Sequence, residues 1–207
     1  MDRDDIKRIL YITIGLTVVS IFILTYFGKN VFTWPGIKLL STIFSGIVIF
    51  WMFYFKYGWK YPILKLIVYK ENFNGTWFGE YYSKDFDTDR EYRGQISLVI
   101  RQSFININVT SYTEKYLAYS YAETLLCDKE RKKDQLVYLY SQDEMNPTKE
   151  STRKGTTELI FVSELEFKKL FGPFWTNTNS KGKLTVKKIS NKHLTSFGHA
   201  KKKYESI

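Results

Sequence analysis

The residues most able to bind a ligand lie after residue 74 of this sequence. Their side chains carry aromatic, hydroxyl, amide and guanidinium groups. An aromatic ring can stack on a planar base, which contributes roughly 1–3 kcal/mol. An arginine offers paired donors that match a phosphate, and hydroxyl or amide groups can read base edges. This inventory suits a nucleotide-like ligand with two bases and compact phosphates. The candidate ligand-binding residues are Trp77, Tyr81, Arg101, Tyr138, Tyr140, Thr157, Trp175, Thr176 and Asn177.

Two alternatives stay open for these residues. Tyrosines on strands can also simply fill the interior of a sheet protein or cover its outside. In addition, Arg101 lies on the strand face opposite Ile96, Leu98 and Ile100. Since successive side chains of a strand point to opposite faces, the face that lines the interior decides whether Arg101 can reach a ligand.

The sequence contains no recognisable catalytic or metal-binding set. It lacks GxSxG, P-loop and HExxH motifs, and it holds two histidines and the single cysteine Cys127. Asp85, Asp87 and Asp89 alternate as in a calcium loop but lack the downstream Gly and Glu, so we interpret them as a solvated turn. We therefore expect a protein that is not an enzyme, with no cofactor and no metal.

Two uncharged apolar segments precede these residues. The segment from Ile9 to Phe27 would span about 28 Å as a helix, close to the thickness of a bilayer core, and the segment from Leu39 to Phe55 is slightly shorter. The connector GKNVFTWPGIK between them is short and contains Pro35 and Gly36. The pattern predicts a transmembrane helical hairpin.

The flanking charges predict the orientation of this hairpin. Residues 1–70 hold nine Lys/Arg and three Asp/Glu, whereas the other 137 residues hold 22 and 18. The basic residues concentrate before the first segment and after the second, which places both termini in the cytoplasm by the positive-inside rule. A signal peptide is the alternative for the first segment, but the acidic start MDRDD and the lack of a small-residue cleavage site disfavour it.

The second apolar segment carries two pairs of small residues spaced by four, Ser41 with Ser45 and Thr42 with Gly46. Such pairs allow close approach of helices within lipid. They are candidate oligomerisation residues, with packing against the first helix of the same chain as an equal alternative.

From Asn74 onward the apolar pattern has a period of two, in about eight short segments that begin with GTWFGEYY and end with GKLTVKKIS. Eight such strands close most economically into an antiparallel up-and-down barrel, lipocalin-like in size, that leaves no edge and can hold one small ligand. A β-sandwich is the alternative. The predicted domains are a helical hairpin with its linker over residues 1–70 and a cytoplasmic ligand-sensing barrel over residues 71–207.

This layout resembles the two-helix β-barrel effectors of cyclic-oligonucleotide-based antiphage signalling (CBASS). Three stretches carry the resemblance: the opening GTWFGEYY, a central LxYxY strand and the closing GPFWTN…GKL. The matching positions are Gly75, Trp77, Gly79, Leu136, Tyr138, Tyr140, Gly172, Trp175, Thr176, Asn177 and Gly182.

The resemblance implies that the barrel binds a cyclic dinucleotide made by a partner nucleotidyltransferase (CD-NTase) during infection. Binding would promote a homo-oligomer of the membrane helices among the lipids of the cell inner membrane, disrupt that membrane and kill the infected cell. DNA and RNA are not expected partners. The alternatives are a tethered lipocalin-like carrier of a lipid or other apolar ligand, and an interaction scaffold with a filled barrel.

Overall fold

The structure is a computed structural model, and it describes residues 3–28, 32–128, 133–144, 153–164 and 167–207. The chain divides into two compact units. The helical unit comprises residues 1–70 together with 103–105, and the barrel unit comprises residues 71–102 and 106–207.

The helical unit contains two long helices, α1 from Arg3 to Tyr26 and α2 from Trp34 to Lys56. Helix α2 begins five residues earlier than the apolar run suggested, because Pro35 lies in its first turn. Proline is compatible with that position, since its fixed φ suits a helix and its missing N–H has no partner there anyway. Of the predicted connector, residues 29–31 lie outside the described part. Two short 3-10 helices follow, Gly58–Lys60 and Leu64–Leu66.

Helices α1 and α2 pack against each other through apolar side chains and one hydrogen bond. Ile47 and Trp51 of α2 are buried, with Ile9 and Ile12 of α1 packed against their cluster. The indole Nε1 of Trp51 donates to Oγ1 of Thr13 at 3.0 Å. Both helices are long and apolar enough to cross a membrane, and their composition is compatible with membrane association.

Residues 103–105 belong to the helical unit, although the chain on either side of them forms barrel strands. Phe104 is fully buried, and its ring lies 5.4 Å from that of Tyr54 and 5.1 Å from that of Phe55. The ammonium of Lys70 lies over the Phe104 ring and donates to the Phe104 carbonyl oxygen. Phe104 is therefore part of the hydrophobic cluster of the helical unit.

The barrel unit is a closed sheet of eight antiparallel strands in sequential order, as the sequence predicted, and a two-sheet sandwich is excluded. Each strand pairs with its neighbours in the chain, and β1 pairs with β8 to close the barrel. The strands are β1 Gly75–Asp85, β2 Arg90–Gln102, β3 Ile107–Tyr112, β4 Tyr116–Asp128, β5 Lys133–Glu144, β6 Arg153–Ser163, β7 Lys168–Thr176 and β8 Ser180–Ser190.

One end of the barrel, here called the filled end, is packed solid by large side chains. Phe73, Trp77 and Phe161 form an aromatic group there, with the rings of Phe73 and Phe161 5.2 Å apart. The indole Nε1 of Trp77 donates to the carbonyl oxygen of Phe73 at 2.8 Å, so this buried donor is satisfied. Leu136 and Leu170 are also fully buried in this core.

Glycine is required where β1 begins. Gly75 has a φ of +122°, and a Cβ on it would lie 2.2 Å from the carbonyl oxygen of Ser190 on β8. A Cβ on Gly79 would lie 2.1 Å from the carbonyl oxygen of Thr185, also on β8. Both glycines of the opening motif therefore allow β1 and β8 to close the barrel.

A third helix, α3 from Phe197 to Glu205, was not among the elements predicted from the sequence. Ser196 caps it by accepting from the His199 amide at 3.2 Å. Its aromatic residues Phe197 and Tyr204 cover Phe78 on the outside of β1, with ring separations of 5.7 and 4.9 Å. The cap and the apolar spacing are the sequence signals that indicate this helix.

The two tryptophans of the barrel motifs give a matched test of this packing. We expect Trp77→Ala to lower the free energy of unfolding by about 3–5 kcal/mol, because it leaves a cavity in the filled end. Trp175→Ala, on a side chain 38% exposed, should cost much less. Denaturant unfolding of the full chain in mild detergent, followed by circular dichroism, measures both. Equal losses would contradict the assignment of the filled end.

Candidate ligand-binding cavity

The other end of the barrel, here called the cavity end, is hollow. It encloses a cavity of about 210 Å³, to which all eight strands contribute. The lining residues are Tyr81, Ser83, Tyr92, Ile96, Ser111, Thr113, Tyr116, Ala118, Tyr138, Tyr140, Gln142, Arg153, Thr157, Phe174, Thr176, Ser180 and Leu184. At the cavity end, small hydroxyl residues face the barrel interior, whereas large apolar side chains face it at the filled end.

Five of the nine residues proposed from the sequence line this cavity: Tyr81, Tyr138, Tyr140, Thr157 and Thr176. They come from four strands, and the register brings them together. Tyr138 lies opposite Thr157, and Tyr140 lies opposite Gly155. A Cβ at Gly155 would come within 2.5 Å of the Tyr140 hydroxyl, so the absence of a side chain there leaves room for that hydroxyl.

The structure places Trp77 and Arg101 away from the cavity. Trp77 is fully buried in the filled end, where it packs on Phe161. Arg101 is exposed and lies opposite Asn108 on β3. The strand face of Arg101 is settled by Leu98 and Ile100, which belong to the core cluster inside the barrel and lie on the opposite face of the strand.

Trp175 and Asn177 also lie outside the cavity. Trp175 neighbours Thr176 in β7 and points to the opposite side of the sheet, where it is exposed. Asn177 instead forms two hydrogen bonds with Lys154. Its backbone N–H donates to the Lys154 carbonyl oxygen at 2.8 Å, and its side-chain Oδ1 accepts from the Lys154 backbone N–H at 2.9 Å. Of the closing motif, Thr176 alone among the proposed binding residues lines the cavity.

Sequence reasoning missed Arg153, which is the one charged residue among the described lining residues. It is the first residue of β6, and it shares a strand face with Gly155 and Thr157. This period-two alternation in β6 is the sequence signal that could have identified Arg153 as a lining residue. It was hidden because Arg153 lies within the charge-rich run DEMNPTKESTRKG, residues 143–155, which suggests a loop. Residues 145–152 of that run lie outside the described part.

Two tyrosines of the cavity, Tyr138 and Tyr140, are held in the neutral, protonated form. Burial raises the pKa of Tyr138 although Thr157 hydrogen-bonds its phenol. Burial also raises the pKa of Tyr140 to about 12, opposed by the positive charge of Arg153. The rings of these two residues lie 6.1 Å apart. Their hydroxyls therefore remain hydrogen-bond donors at physiological pH.

The lining as a whole combines ring faces, hydroxyl groups and one cation. Ile96, Phe174 and Leu184 supply apolar surface, and the serines, threonines and Gln142 supply donors and acceptors. No group of His, Cys, Asp and Glu that could hold a metal occurs among the residues described. Such a site can bind a molecule that is both planar and anionic.

Comparison with known families agrees with this chemistry. The family model of the Cap15 cyclic dinucleotide receptor domain matches residues 70–188. The chain belongs to this family. A search of curated proteins found no match. The matched range includes every residue that lines the cavity, so the Cap15 domain of this chain carries the hollow end of the barrel.

Membership of the Cap15 family assigns a sensing role to the barrel. The family is defined as a receptor for cyclic dinucleotides, and its members are CBASS effectors. A receptor role is consistent with a lining that has stacking and hydrogen-bonding groups and no catalytic set among its seventeen residues.

The raised tyrosine pKa values predict a loss of stability at high pH. Below pH 10 the folded and unfolded states both keep these phenols protonated, so their contribution is fully present. Between pH 10 and about 12 the unfolded state loses its protons first, which favours unfolding by roughly 1 kcal/mol per pH unit for each buried tyrosine. Unfolding midpoints at pH 9 and pH 11 measure this, and Tyr140→Phe should reduce the difference. An unchanged difference in that variant would contradict the burial of Tyr140.

Proposed function

We propose that this chain is a membrane-anchored CBASS effector. Its barrel binds a cyclic dinucleotide, supplied by a partner CD-NTase, in the cavity described above. The bound chains then assemble through their helices, disrupt the inner membrane and kill the infected cell. The observation that carries this proposal is the half-hollow Cap15 barrel, with Arg153 and neutral tyrosines facing the cavity.

The size of the cavity determines how the ligand lies. Ligand pockets commonly enclose roughly 300–1,000 Å³, and this cavity is smaller at about 210 Å³. A cyclic dinucleotide therefore occupies the cavity and also fills its mouth. Arg153 begins β6 and provides a guanidinium for a phosphate, while Tyr140 and Phe174 offer ring faces for a base.

The apolar-ligand alternative fits the lining less well. A fatty acid or other lipid chain would bring hydrocarbon against Ser83, Thr157 and Arg153, whose polar groups would then lose contact with water without gaining a partner. The family match points to the same conclusion.

Thermal unfolding of the full chain in mild detergent separates the two ligand classes. Cyclic di-AMP, cyclic di-GMP and cyclic GMP–AMP are tested one at a time against palmitate. We expect at least one cyclic dinucleotide, at 100 times its Kd, to raise the unfolding temperature by about 5–10 °C. Stabilisation by palmitate with none from the nucleotides would overturn the proposal in favour of a carrier.

Arginine substitution tests the position of the phosphate. We expect Arg153→Gln to weaken binding of the stabilising cyclic dinucleotide by about 10- to 100-fold, because a charge-assisted hydrogen bond contributes roughly 1.5–3 kcal/mol. Arg101→Gln is the matched control, since Arg101 is exposed outside the cavity. Calorimetric titration measures both Kd values, and equal affinities would remove Arg153 from the site.

The proposed membrane placement depends on α1 and α2. Both helices have the length and apolar composition of membrane spans. We propose that they form a two-pass anchor, with both termini and the barrel on the cytoplasmic side because of the basic flanks. Anchoring confines the chains to two dimensions and so raises their effective concentration.

The small residues of α2 are available for assembly. Ser41, Thr42, Ser45 and Gly46 are all exposed, whereas the contact with α1 uses Ile47 and Trp51. The hydroxyls of Thr42 and Ser45 bond backward to the helix carbonyls of Lys38 and Ser41, which leaves a smooth surface. This arrangement favours packing against another chain over packing against α1.

Substitution on this face tests the assembly step. We expect Ser45→Leu with Gly46→Leu to abolish the toxicity of the activated protein, because large side chains keep the helices apart, and to leave ligand affinity unchanged. Ile49→Leu, at an exposed position one turn further along α2, should remain toxic. Growth of cells that express the effector with its cognate CD-NTase measures the outcome. Full toxicity of the double variant would refute this helix face as the contact.

A further inference from the structure

Three aromatic rings of the cavity lie against glycines of a neighbouring strand. In each case the ring belongs to one strand and the glycine to the next strand along the chain. The pairs are Tyr81↔Gly94 in β1 and β2, Tyr140↔Gly155 in β5 and β6, and Phe174↔Gly182 in β7 and β8. A Cβ on any of these glycines would lie 2.5 to 2.9 Å from atoms at the tip of the ring. The rings therefore extend sideways along the barrel wall and leave the middle of the cavity open.

Gly94 stands between two residues whose side chains line the cavity. Tyr92 and Ile96 occupy the alternate positions on either side of it in β2, and both are lining residues. Because strand positions two apart share a face, a side chain at position 94 would also point into the cavity. The space that Gly94 leaves on this face is filled by the hydroxyl end of the Tyr81 ring.

The backbone does not require glycine at position 94. Positive φ values occur among the described glycines at Gly28 and Gly75. The three atoms nearest to a Cβ on Gly94 all belong to the Tyr81 ring, at 2.8 to 2.9 Å, whereas a Cβ on either of the other two glycines would also meet a backbone oxygen. Glycine weakens a strand interior and often marks a place that a ligand approaches closely. What glycine provides at position 94 is therefore room for one ring.

Two of the ring–glycine pairs lie on opposite sides of the barrel. Two strands separate the β1–β2 pair from the β5–β6 pair in either direction around the closed sheet. Tyr81 and Tyr140 both line the cavity, so they approach it from opposite walls. A ligand with two planar groups can therefore find one ring at each wall.

Arg153 acts on both of these tyrosines. Burial raises the pKa of Tyr81, as it raises the pKa of Tyr140, and the positive charge of Arg153 opposes the rise in each case. Arg153 also lines the cavity, as the first residue of β6. Its guanidinium is therefore near enough to both rings to hold a phosphate that lies between two bases.

We infer that Gly94 is a positioning residue of the ligand cavity. It holds the Tyr81 ring against the wall, and the ring face takes one base of a cyclic dinucleotide while Tyr140 takes the other base at the opposite wall. A side chain at position 94 would push the ring toward the middle of the cavity, where the ligand lies. This inference rests on the proposed function, because it assumes that the ligand is a cyclic dinucleotide.

The contact between Gly94 and Tyr81 can be tested without a ligand, by thermal unfolding of the full chain in mild detergent. In a Tyr81→Ala background we expect Gly94→Ala to raise the unfolding temperature by about 2 °C, because alanine is favoured over glycine within a strand. In the parent chain the ring stands in the way of the new Cβ, so the same substitution should give no gain or a loss. An equal gain in both backgrounds would overturn the contact.

Calorimetric titration tests the role of Gly94 in binding. The probe is whichever of cyclic di-AMP, cyclic di-GMP and cyclic GMP–AMP stabilises the full chain most. We expect Gly94→Ala to raise its Kd about 10-fold, because the displaced ring no longer stacks on a base. The double variant with Tyr81→Ala should bind no worse than Tyr81→Ala alone, since both changes remove the same contact. Gly198→Ala, on α3 with open space around it, is the matched control and should bind like the parent chain.

The outcomes separate this inference from the proposed function. If the parent chain binds a cyclic dinucleotide and Gly94→Ala binds it equally well, Gly94 does not position the site and the inference is wrong. Additive losses in the double variant would also overturn it, because Gly94→Ala would then act independently of the Tyr81 ring. If the parent chain binds none of the three nucleotides, the proposed function fails together with the base contact. The unfolding temperatures would still decide whether Gly94 holds the Tyr81 ring.

Discussion

The alternation of side chains around a closed strand cylinder is the constraint on which the barrel depends. Each strand residue faces either the lumen or the outside, and the lumen is filled or empty according to the size of the inward residues. Phe73, Trp77 and Phe161 fill one end. Ser83, Thr113 and Ser180 leave the other end hollow. The aromatic group at the filled end therefore limits how far the polar cavity extends into the barrel.

The strands were predictable because period-two alternation is a local property of the sequence, and all eight appear in the structure. The cavity was only partly predictable, since it depends on which face of each strand lies inside and at which end. Thr176 and Trp175 are adjacent in sequence and lie on opposite sides of the wall. The two arginines differ for the same reason. Arg101, which the sequence suggested as a binding residue, lies on the outer face of its strand, whereas Arg153, which it did not suggest, lies on the inner face of its strand.

Helix α3 and the β-bulge of β4 could not be predicted from the sequence, for different reasons. Nine residues with three consecutive lysines carry a weak helical pattern, and α3 is stabilised by packing on Phe78. The bulge is a one-residue shift in the β4–β5 pairing at Tyr121, which no apolar pattern records. The expectation of a closed barrel is confirmed, because β1 pairs with β8 and every strand pairs with both neighbours.

The position of Phe104 has a practical consequence for handling the protein. Its ring is fully buried among Tyr54, Phe55 and Lys70, all of which precede the barrel in the chain. A fragment that starts at residue 71 would keep Phe104 and lose every one of these neighbours. Such a truncated barrel would expose the apolar side chain of Phe104 to solvent, and exposed apolar surface promotes aggregation. Solubility problems in an excised domain would then reflect the missing anchor and would say nothing about ligand recognition.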